Sequence, residues 1–241
     1  MSAELTPLGS VAPGRSPEEV LAWAAGRFPR IALATAFGPE GCALIDMIGR
    51  RRLPIRIVTI DTGLFFPETI DLWKKLEKRY EVTIEAIRPR QSVQEQAREH
   101  GERLWERDPD RCCELRKVAP LAGLLSGLDA WISSVRRDQT PQRATAEVVE
   151  VDRRFGLIKV TPLAEWSSAR VWDYLREHDV PVNPLHALGY PSIGCTPCTT
   201  RVGAGEDPRA GRWRGTSKTE CGLHVGPRET RVVLERHRPR A

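Results

Sequence analysis

The hydrophobic positions of this chain alternate between short continuous runs and stretches with helical spacing. Short apolar runs rich in β-branched residues are typical of buried strands. We predict such strands at residues 31–35, 55–60, 82–87 and 130–134, with a hairpin or two edge strands at 148–152 and 157–160. Helices are predicted at residues 16–28, 42–49, 69–80, 92–101, 112–125 and 167–178.

This alternation predicts an α/β fold with a mostly parallel sheet covered by helices on both faces. Ligands of such sheets bind beyond the carboxyl ends of the strands. Two glycine-bearing turns lie at such ends, residues 36–41 after the first strand and Asp61-Thr62-Gly63 after the second. The first turn would direct backbone N–H groups at an anion, although it lacks the Gly-Lys-Ser/Thr of a Walker A motif. Each turn alone could be ordinary, but together they favour a nucleotide site.

Composition narrows the class of protein. A chain of 241 residues suits one α/β domain or a domain with an ordered C-terminal extension. No apolar run approaches a membrane span, and residues 1–15 lack the layout of a secretory signal, so we expect a cytoplasmic protein with reduced thiols and no membrane partner. The net charge of +5 is scattered rather than striped, which does not favour a nucleic acid as partner.

Six cysteines add the candidate chemistry. Cys112 and Cys113 are adjacent, and Cys195 and Cys198 form a Cys-x-x-Cys pair, so the four thiols could bind zinc or an iron–sulfur cluster. Adjacent side chains diverge, which suits the separate irons of a cubane better than one zinc ion. Lys117 would share a helical face with Cys113 and offset the charge of a cluster, unless it is simply a solvated lysine.

The two remaining cysteines lie in different surroundings. Cys42 belongs to an apolar run and is predicted to be a buried core residue. Cys221 is flanked by Lys218 and His224 in a polar segment, where nearby cations favour the reactive thiolate. We therefore predict that Cys221 is a nucleophile. Arginines that could bind an oxyanion beside it are Arg209, Arg212 and Arg214.

Six segments resemble the adenylylsulfate (APS) and phosphoadenylylsulfate (PAPS) reductase family over roughly residues 30–225. These segments are Ala36-Phe37-Gly38-Pro39-Glu40-Gly41, residues 61–69, residues 112–117, Val135-Arg136-Arg137-Asp138-Gln139-Thr140, Cys195-Thr196-Pro197-Cys198 and residues 218–224. The resemblance implies an adenine nucleotide α-hydrolase-like (PP-loop) fold with an irregular C-terminal tail. The two cysteine pairs resemble the cluster-containing branch of the family, which mostly reduces APS.

The resemblance also implies a reaction. The Cys221 thiolate attacks the sulfur of APS, AMP leaves, and a thioredoxin-type thiol releases sulfite from the resulting cysteine S-sulfonate. A [4Fe-4S] cluster bound by Cys112, Cys113, Cys195 and Cys198 is implied as cofactor. The implied organisation is a flexible arm at 1–15, a nucleotide-binding and iron–sulfur domain at 16–205 and a tail at 206–241 that carries the nucleophile. A homo-oligomer stays an open alternative.

The remaining site residues follow from the matching motifs. Residues expected to contact the nucleotide are Ala36, Phe37, Gly38, Asp61 and Thr62. Residues expected to bind the phosphosulfate are Lys117, Arg136, Arg143, Arg209 and Arg212, with His224 supporting Cys221. Two positions depart from the family pattern, because Ala36 replaces a frequent Ser and Ser134 a frequent Gly.

Three other functions are compatible with parts of the sequence. A PAPS reductase or an enzyme of dual APS and PAPS specificity would use the same motifs. A tRNA thiolase would need a Ser-Gly-Gly-x-Asp-Ser loop and an RNA-binding surface, which the chain does not display. A zinc-stabilised binding protein without catalysis would contain no iron.

Overall fold

The computed structural model describes residues 15–222. Six strands form one sheet in the order β3-β2-β1-β4-β6-β5. The strands are β1 (Ile31–Thr35), β2 (Arg56–Ile60), β3 (Ile84–Ile87), β4 (Ala130–Ser133), β5 (Val149–Asp152) and β6 (Leu157–Val160). All neighbours are parallel except β5 and β6. The predicted hairpin is therefore confirmed, although β6 lies inside the sheet and only β5 is at its edge.

The helices cover both faces of this sheet. They are α1 (Pro17–Arg27), α2 (Pro39–Arg50), α3 (Pro67–Tyr80), α4 (Val93–His100), α5 (Leu104–Arg107), α6 (Pro109–Cys113), α7 (Ala119–Leu125) and α8 (Ser168–Glu177). A π-helix, Glu114–Val118, joins α6 to α7. The single helix predicted at 112–125 is thus three segments, and the short α5 was not predicted. No described helix is long and apolar enough to cross a membrane.

Alternation along the strands divides the core into two layers. Ile31 and Leu33 of β1 pack with α1, α2, α3 and α8, whereas Ala32 packs on the other face with Trp131 and α7. Burial on both faces explains why these strands are continuously apolar. The prediction that Cys42 is a core residue is confirmed, because it is fully buried in the first layer.

A buried carboxylate fastens α2 to two other helices. Asp46 accepts hydrogen bonds from the hydroxyls of Tyr80 on α3 and Tyr174 on α8, at 2.8 and 2.5 Å. Asp46 is only 1% exposed, so these two donors replace water around its carboxylate.

The strand order places the switch point of the sheet between β1 and β4. The chain runs from β1 outward through β2 and β3, then returns to the other side of β1 at β4. The loops after β1 and β4 therefore diverge and leave a crevice at the carboxyl end of the sheet. Residues 36–41 and 134–140 line the two sides of that crevice.

Candidate active site

Two close contacts of the backbone with the Thr35 hydroxyl, at Phe37 and at Gly41, determine the shape of the loop after β1. The Thr35 hydroxyl accepts a hydrogen bond from the Phe37 N–H at 3.0 Å, and Phe37 itself has a positive φ of 61°. A Cβ on Gly41 would collide with the Thr35 hydroxyl, so this position needs glycine. Gly38 is the N-cap of α2, and it provides no side-chain hydrogen bond to the first turn of that helix. The first turn of α2 is thus available to an anion.

The predicted nucleotide contacts of this loop differ in exposure. Ala36 is exposed and Gly38 is partly exposed, as a contact would require. The Phe37 side chain is instead 2% exposed and stacks on Trp73 at 5.7 Å. Only the backbone of Phe37 is left for a ligand, because its ring fills the core.

A buried ion pair joins the two sides of the crevice. The Arg136 Nε, after β4, donates to the Glu40 carboxylate at 2.8 Å, and Arg136 also pairs with Asp138. The Arg136 side chain is 7% exposed. The structure therefore places this predicted anion ligand at the switch point with its charge already balanced by two carboxylates.

The two polar side chains of the turn after β2, Asp61 and Thr62, lie in different surroundings. Asp61 accepts from the Gly63 N–H at 3.0 Å and from Arg88 at 3.1 Å, and remains partly exposed. Thr62 is 1% exposed, and its hydroxyl lies 3.3 Å from the Cys195 sulfur. Thr62 was predicted to contact the nucleotide, but successive side chains point to opposite sides, so its hydroxyl faces the cysteines.

The four paired cysteines approach each other from two segments. Cys112 and Cys113 end α6, and Cys195 and Cys198 flank a 3₁₀ turn. Thr196 ties that turn to the loop after β2 through a bond from its N–H to the Leu64 carbonyl at 2.8 Å. Within residues 15–222, no three His, Cys, Asp or Glu side chains are placed to hold a single metal ion.

The mutual electrostatic effects of Cys112, Cys195 and Cys198 indicate that these thiols share one environment. Burial raises the pKa of Cys112, and the neighbouring Cys195 raises it further. Burial, with Cys195 next in importance, raises the pKa of Cys198 to about 11. Burial and the neighbouring thiols therefore disfavour thiolates at these positions, whereas the charge of Lys117 favours them.

Arg116 stabilises the surroundings of the cysteines through hydrogen bonds. The sequence does not predict it as a site residue. It is 3% exposed, and its Nε donates to the Thr62 carbonyl at 2.6 Å. Its Nη1 donates to the Gln96 side chain at 3.1 Å, and Gln96 in turn lies 3.8 Å from the Cys112 sulfur. Burial lowers the pKa of Arg116, although nearby thiols oppose that effect. A buried arginine cannot be distinguished from a solvated one by sequence pattern.

Lys117 interacts electrostatically with the paired cysteines and with Cys221. Burial alone would lower the pKa of Lys117, but the thiols of Cys195, Cys221 and Cys113 outweigh it and raise that pKa overall. The π-helix that carries Lys117 widens the helical turn directly after Cys113. Such widenings occur frequently at functional sites because they redirect side chains.

A second cluster of charge contains the tail arginines and Glu220. Arg143 donates to the Glu220 carboxylate at 2.8 Å, Arg209 donates to it at 3.3 Å, and Thr140 donates to it at 2.9 Å. Arg212 lies nearby but bonds to the Cys-x-x-Cys segment, with 3.4 Å from its Nε to the Cys198 carbonyl. Two of the predicted anion ligands, Arg143 and Arg209, are thus brought together, and Arg212 links them to the cysteines.

Cys221 follows Glu220 and lies at the junction of the two clusters. A hydrogen bond between the thiols of Cys113 and Cys221, followed by burial, raises the pKa of Cys113. Cys221 also acts electrostatically on Arg209. The segment is fastened by an ion pair between Lys218 and Asp110. The predicted helper His224 lies outside the described residues.

Comparisons with known proteins agree with this site. Residues 30–201 match the model of the phosphoadenosine phosphosulfate reductase domain. Adenosine 5'-phosphosulfate reductase of Geobacillus kaustophilus is 47% identical over 86% of this chain and 89% of that protein. The enzyme of the same name from Salinibacter ruber is 42% identical over 95% of this chain and 91% of that protein.

Solved structures agree with the fold. PAPS reductase from Candida auris, in a phosphate complex, has a TM-score of 0.70 and 37% identity over 78% of this chain and 91% of its own. FMN adenylyltransferase from Candida glabrata, with FMN and an ATP analogue, has a TM-score of 0.53 and 15% identity. The match covers 75% of this chain and 60% of that chain, and at this identity it shows likeness of fold alone. The predicted adenine nucleotide α-hydrolase-like fold is confirmed. The family model and these relatives together place this chain in the phosphoadenosine phosphosulfate reductase family, among its APS reductases.

Proposed function

We propose that this protein reduces APS to sulfite and AMP in sulfate assimilation, through a cysteine S-sulfonate on Cys221. One observation carries the proposal, the position of Cys221. Its thiol shares a hydrogen bond with Cys113 of the cysteine pairs, and it follows Glu220, whose carboxylate accepts from Arg143 and Arg209. Curated relatives with 42–47% identity over most of the chain carry the same activity in their names.

The crevice at the switch point is the proposed AMP site. The open first turn of α2 would bind the α-phosphate through backbone N–H groups, aided by the positive end of the helix dipole. The exposed Ala36 and Gly38 allow close approach, and Asp61 is available to a ribose hydroxyl or a base edge. The core position of Phe37 keeps this loop rigid.

The cations around Cys221 are the proposed phosphosulfate site. Lys117, Arg143, Arg209 and Arg212 supply positive charge in a largely buried setting, where it acts more strongly than in water. A thiolate at Cys221 forms a bond to the sulfur of APS while the bond from that sulfur to the phosphate oxygen breaks. AMP leaves with the electron pair, and the positive groups stabilise the oxyanions during transfer.

A thioredoxin-type dithiol is the proposed reductant. Its thiolate attacks the Cys221 sulfur, and sulfite leaves with the electron pair of the bond that breaks. The second thiol of the reductant then attacks the resulting mixed disulfide and releases the Cys221 thiolate. Closure of the reductant's own disulfide thus supplies the two electrons. Cys221 is partly exposed. The ion pair of Lys218 with Asp110 fastens this segment, and we infer that residues 206–222 move between the two half-reactions so that a protein thiol reaches Cys221.

A [4Fe-4S] cluster bound by Cys112, Cys113, Cys195 and Cys198 is the proposed cofactor. The donor set is thiol only, which suits iron and sulfide, and its adjacent pair suits separate irons. Thr62 and Gln96 lie within hydrogen-bond distance of the sulfurs of Cys195 and Cys112, as partners of a thiolate would. When bound, the cluster supplies a fixed charge that orders Lys117. No step of the proposed reaction passes through it.

The test is an initial-rate comparison of APS and PAPS with thioredoxin as reductant. We expect faster sulfite formation from APS, no sulfite from Cys221→Ser, and normal activity from Cys42→Ala, which removes a thiol of the core. Iron per chain should be equal in all three proteins. Faster turnover of PAPS would instead support a PAPS reductase, and full activity of Cys221→Ser would refute the assignment of the nucleophile.

A further inference from the structure

Glu220 is the acidic group at the centre of the proposed anion site. Its side chain is 3% exposed and lies next to Cys221 in the chain. One carboxylate oxygen accepts from Thr140, and the other accepts from both Arg143 and Arg209. A carboxylate this deeply buried normally needs such partners, since an unpaired charge would be costly. Its location is unusual because the ligand proposed for these arginines is itself an anion.

The two arginines are held so that the Nε donor of each is left over. Arg143 is fixed from both sides, by Gln139 at 2.5 Å and by Glu220 at 2.8 Å. Arg209 uses its Nη2 on Glu220 and on the Thr219 carbonyl at 3.1 Å. The Nε atoms of both arginines are buried and have no hydrogen-bond partner among residues 15–222. Buried donors of this kind are satisfied by water, an ion or a ligand, so both Nε–H groups are candidates for contact with an anion.

The net charge of Glu220 and its arginines also allows the acceptor to be an anion. One carboxylate between two guanidiniums leaves a net positive charge, to which Arg212 adds. Burial lowers the pKa of Arg209, and Arg143 and Arg212 lower it further, whereas Glu220 opposes them. Glu220 therefore holds together cations that would otherwise repel each other, without cancelling their charge.

We propose that Glu220 is a positioning residue for sulfuryl transfer: it fixes Arg143 and Arg209 with their Nε–H groups directed to the substrate's oxyanion, and by the same bonds holds Cys221 beside that anion. This inference rests on the proposed function. Glu220 touches no reacting atom and acts through its neighbours. The bonds to Thr140 and Arg143 span about eighty positions of the chain, so they fasten the thiol segment to the loop after β4.

A different role for Glu220 predicts the opposite kinetics. If its carboxylate merely occupied the anion's place until substrate arrived, its removal would tighten APS binding and leave the maximal rate unchanged. If it positions the arginines and Cys221, its removal lowers the maximal rate of S-sulfonate formation. Separate measurement of the maximal rate and of half-saturation therefore distinguishes the two roles.

The experiment is single-turnover formation of the Cys221 S-sulfonate from APS without reductant. Glu220→Ala should lower the maximal rate about 10- to 150-fold, the range expected for loss of hydrogen bonds between charged groups. Glu220→Gln keeps the shape but not the charge and should lie between Glu220→Ala and wild type. The matched control is Glu206→Ala, which removes an exposed carboxylate paired with Arg214 on the same segment and should react at the wild-type rate.

A second measurement needs no turnover. The rate of alkylation of Cys221 by iodoacetamide, read by peptide mass spectrometry, should rise several-fold in Glu220→Ala and stay unchanged in Glu206→Ala. An unchanged alkylation rate, or tighter APS binding with an unchanged maximal rate, would overturn the inference. Wild-type enzyme that forms no S-sulfonate from APS would refute the proposed function instead, while the alkylation rates would still decide whether Glu220 positions Cys221.

Discussion

Replacement of Arg116 by methionine tests whether this buried guanidinium holds the cysteine site together. Arg116 connects the loop after β2, through the Thr62 carbonyl, to the Gln96 side chain on α4. Methionine fills a similar volume but donates nothing. Both acceptors would then remain buried without their donor.

The magnitude follows from these two bonds, because the third bond of Arg116, from its Nη1 to the Gln91 carbonyl, is long at 3.4 Å. Each hydrogen bond to a charged group contributes about 1.5–3 kcal/mol. Burial of the charge, which lowers the pKa of Arg116, offsets part of this gain. We therefore expect Arg116→Met to reduce the free energy of unfolding by about 2–4 kcal/mol.

The assay is urea unfolding of the reduced protein, together with iron per chain after anaerobic purification. Arg111→Met is the matched control, because Arg111 is exposed on the neighbouring helix. We expect the control to change stability by at most about 0.5 kcal/mol. Equal stability and equal iron content of the two variants would refute the idea that Arg116 supports the site.

Three further results are expected. Gly41→Ala should weaken AMP binding in a calorimetric titration by about tenfold or more, because the added Cβ would collide with the Thr35 hydroxyl. The control Gly26→Ala adds a Cβ that meets no atom within 4 Å and should bind AMP normally. Equal affinities of the two variants would contradict the proposed phosphate loop. Asp46→Ala should lose about 2–4 kcal/mol in urea unfolding, since two buried tyrosine hydroxyls lose their acceptor; a loss below about 0.5 kcal/mol would show that the network adds little. Cys198→Ser should lose most of its iron and brown colour, and full retention of iron would exclude Cys198 as a ligand.

The elements of the fold could be predicted because local pattern determines them. The apolar run at 31–35 has the same bounds as β1, and the Ser16-Pro17 helix start corresponds to α1, which lies one residue inside the predicted 16–28 at each end. The π-helix at 114–118 could not be predicted, because its composition is that of an ordinary helix. Within it, Arg116 bonds to Thr62 and Gln96, which are distant in sequence and which no local pattern indicates.

The site could be predicted where the type of residue and its spacing along the chain are enough to indicate its chemistry. The cysteine pairs and the tail arginines were recognised in that way, and the structure places Arg143 and Arg209 on one carboxylate. Glu220 was missed because a glutamate beside a cysteine has no pattern of its own. The approach of the Thr62 hydroxyl to the Cys195 sulfur could not be predicted, because sequence does not show which way a side chain turns at the end of a strand.

The nucleophile is tested most directly by the mass of the enzyme after incubation with APS in the absence of any reductant. We predict that one SO₃ group adds to each chain, lies on the peptide that contains Cys221, and disappears when thioredoxin is added, with release of sulfite. The cysteine pairs should carry no such group, and Cys221→Ser should remain unmodified. An SO₃ group on another cysteine, or sulfite formed by Cys221→Ser at the wild-type rate, would contradict the mechanism proposed for this protein.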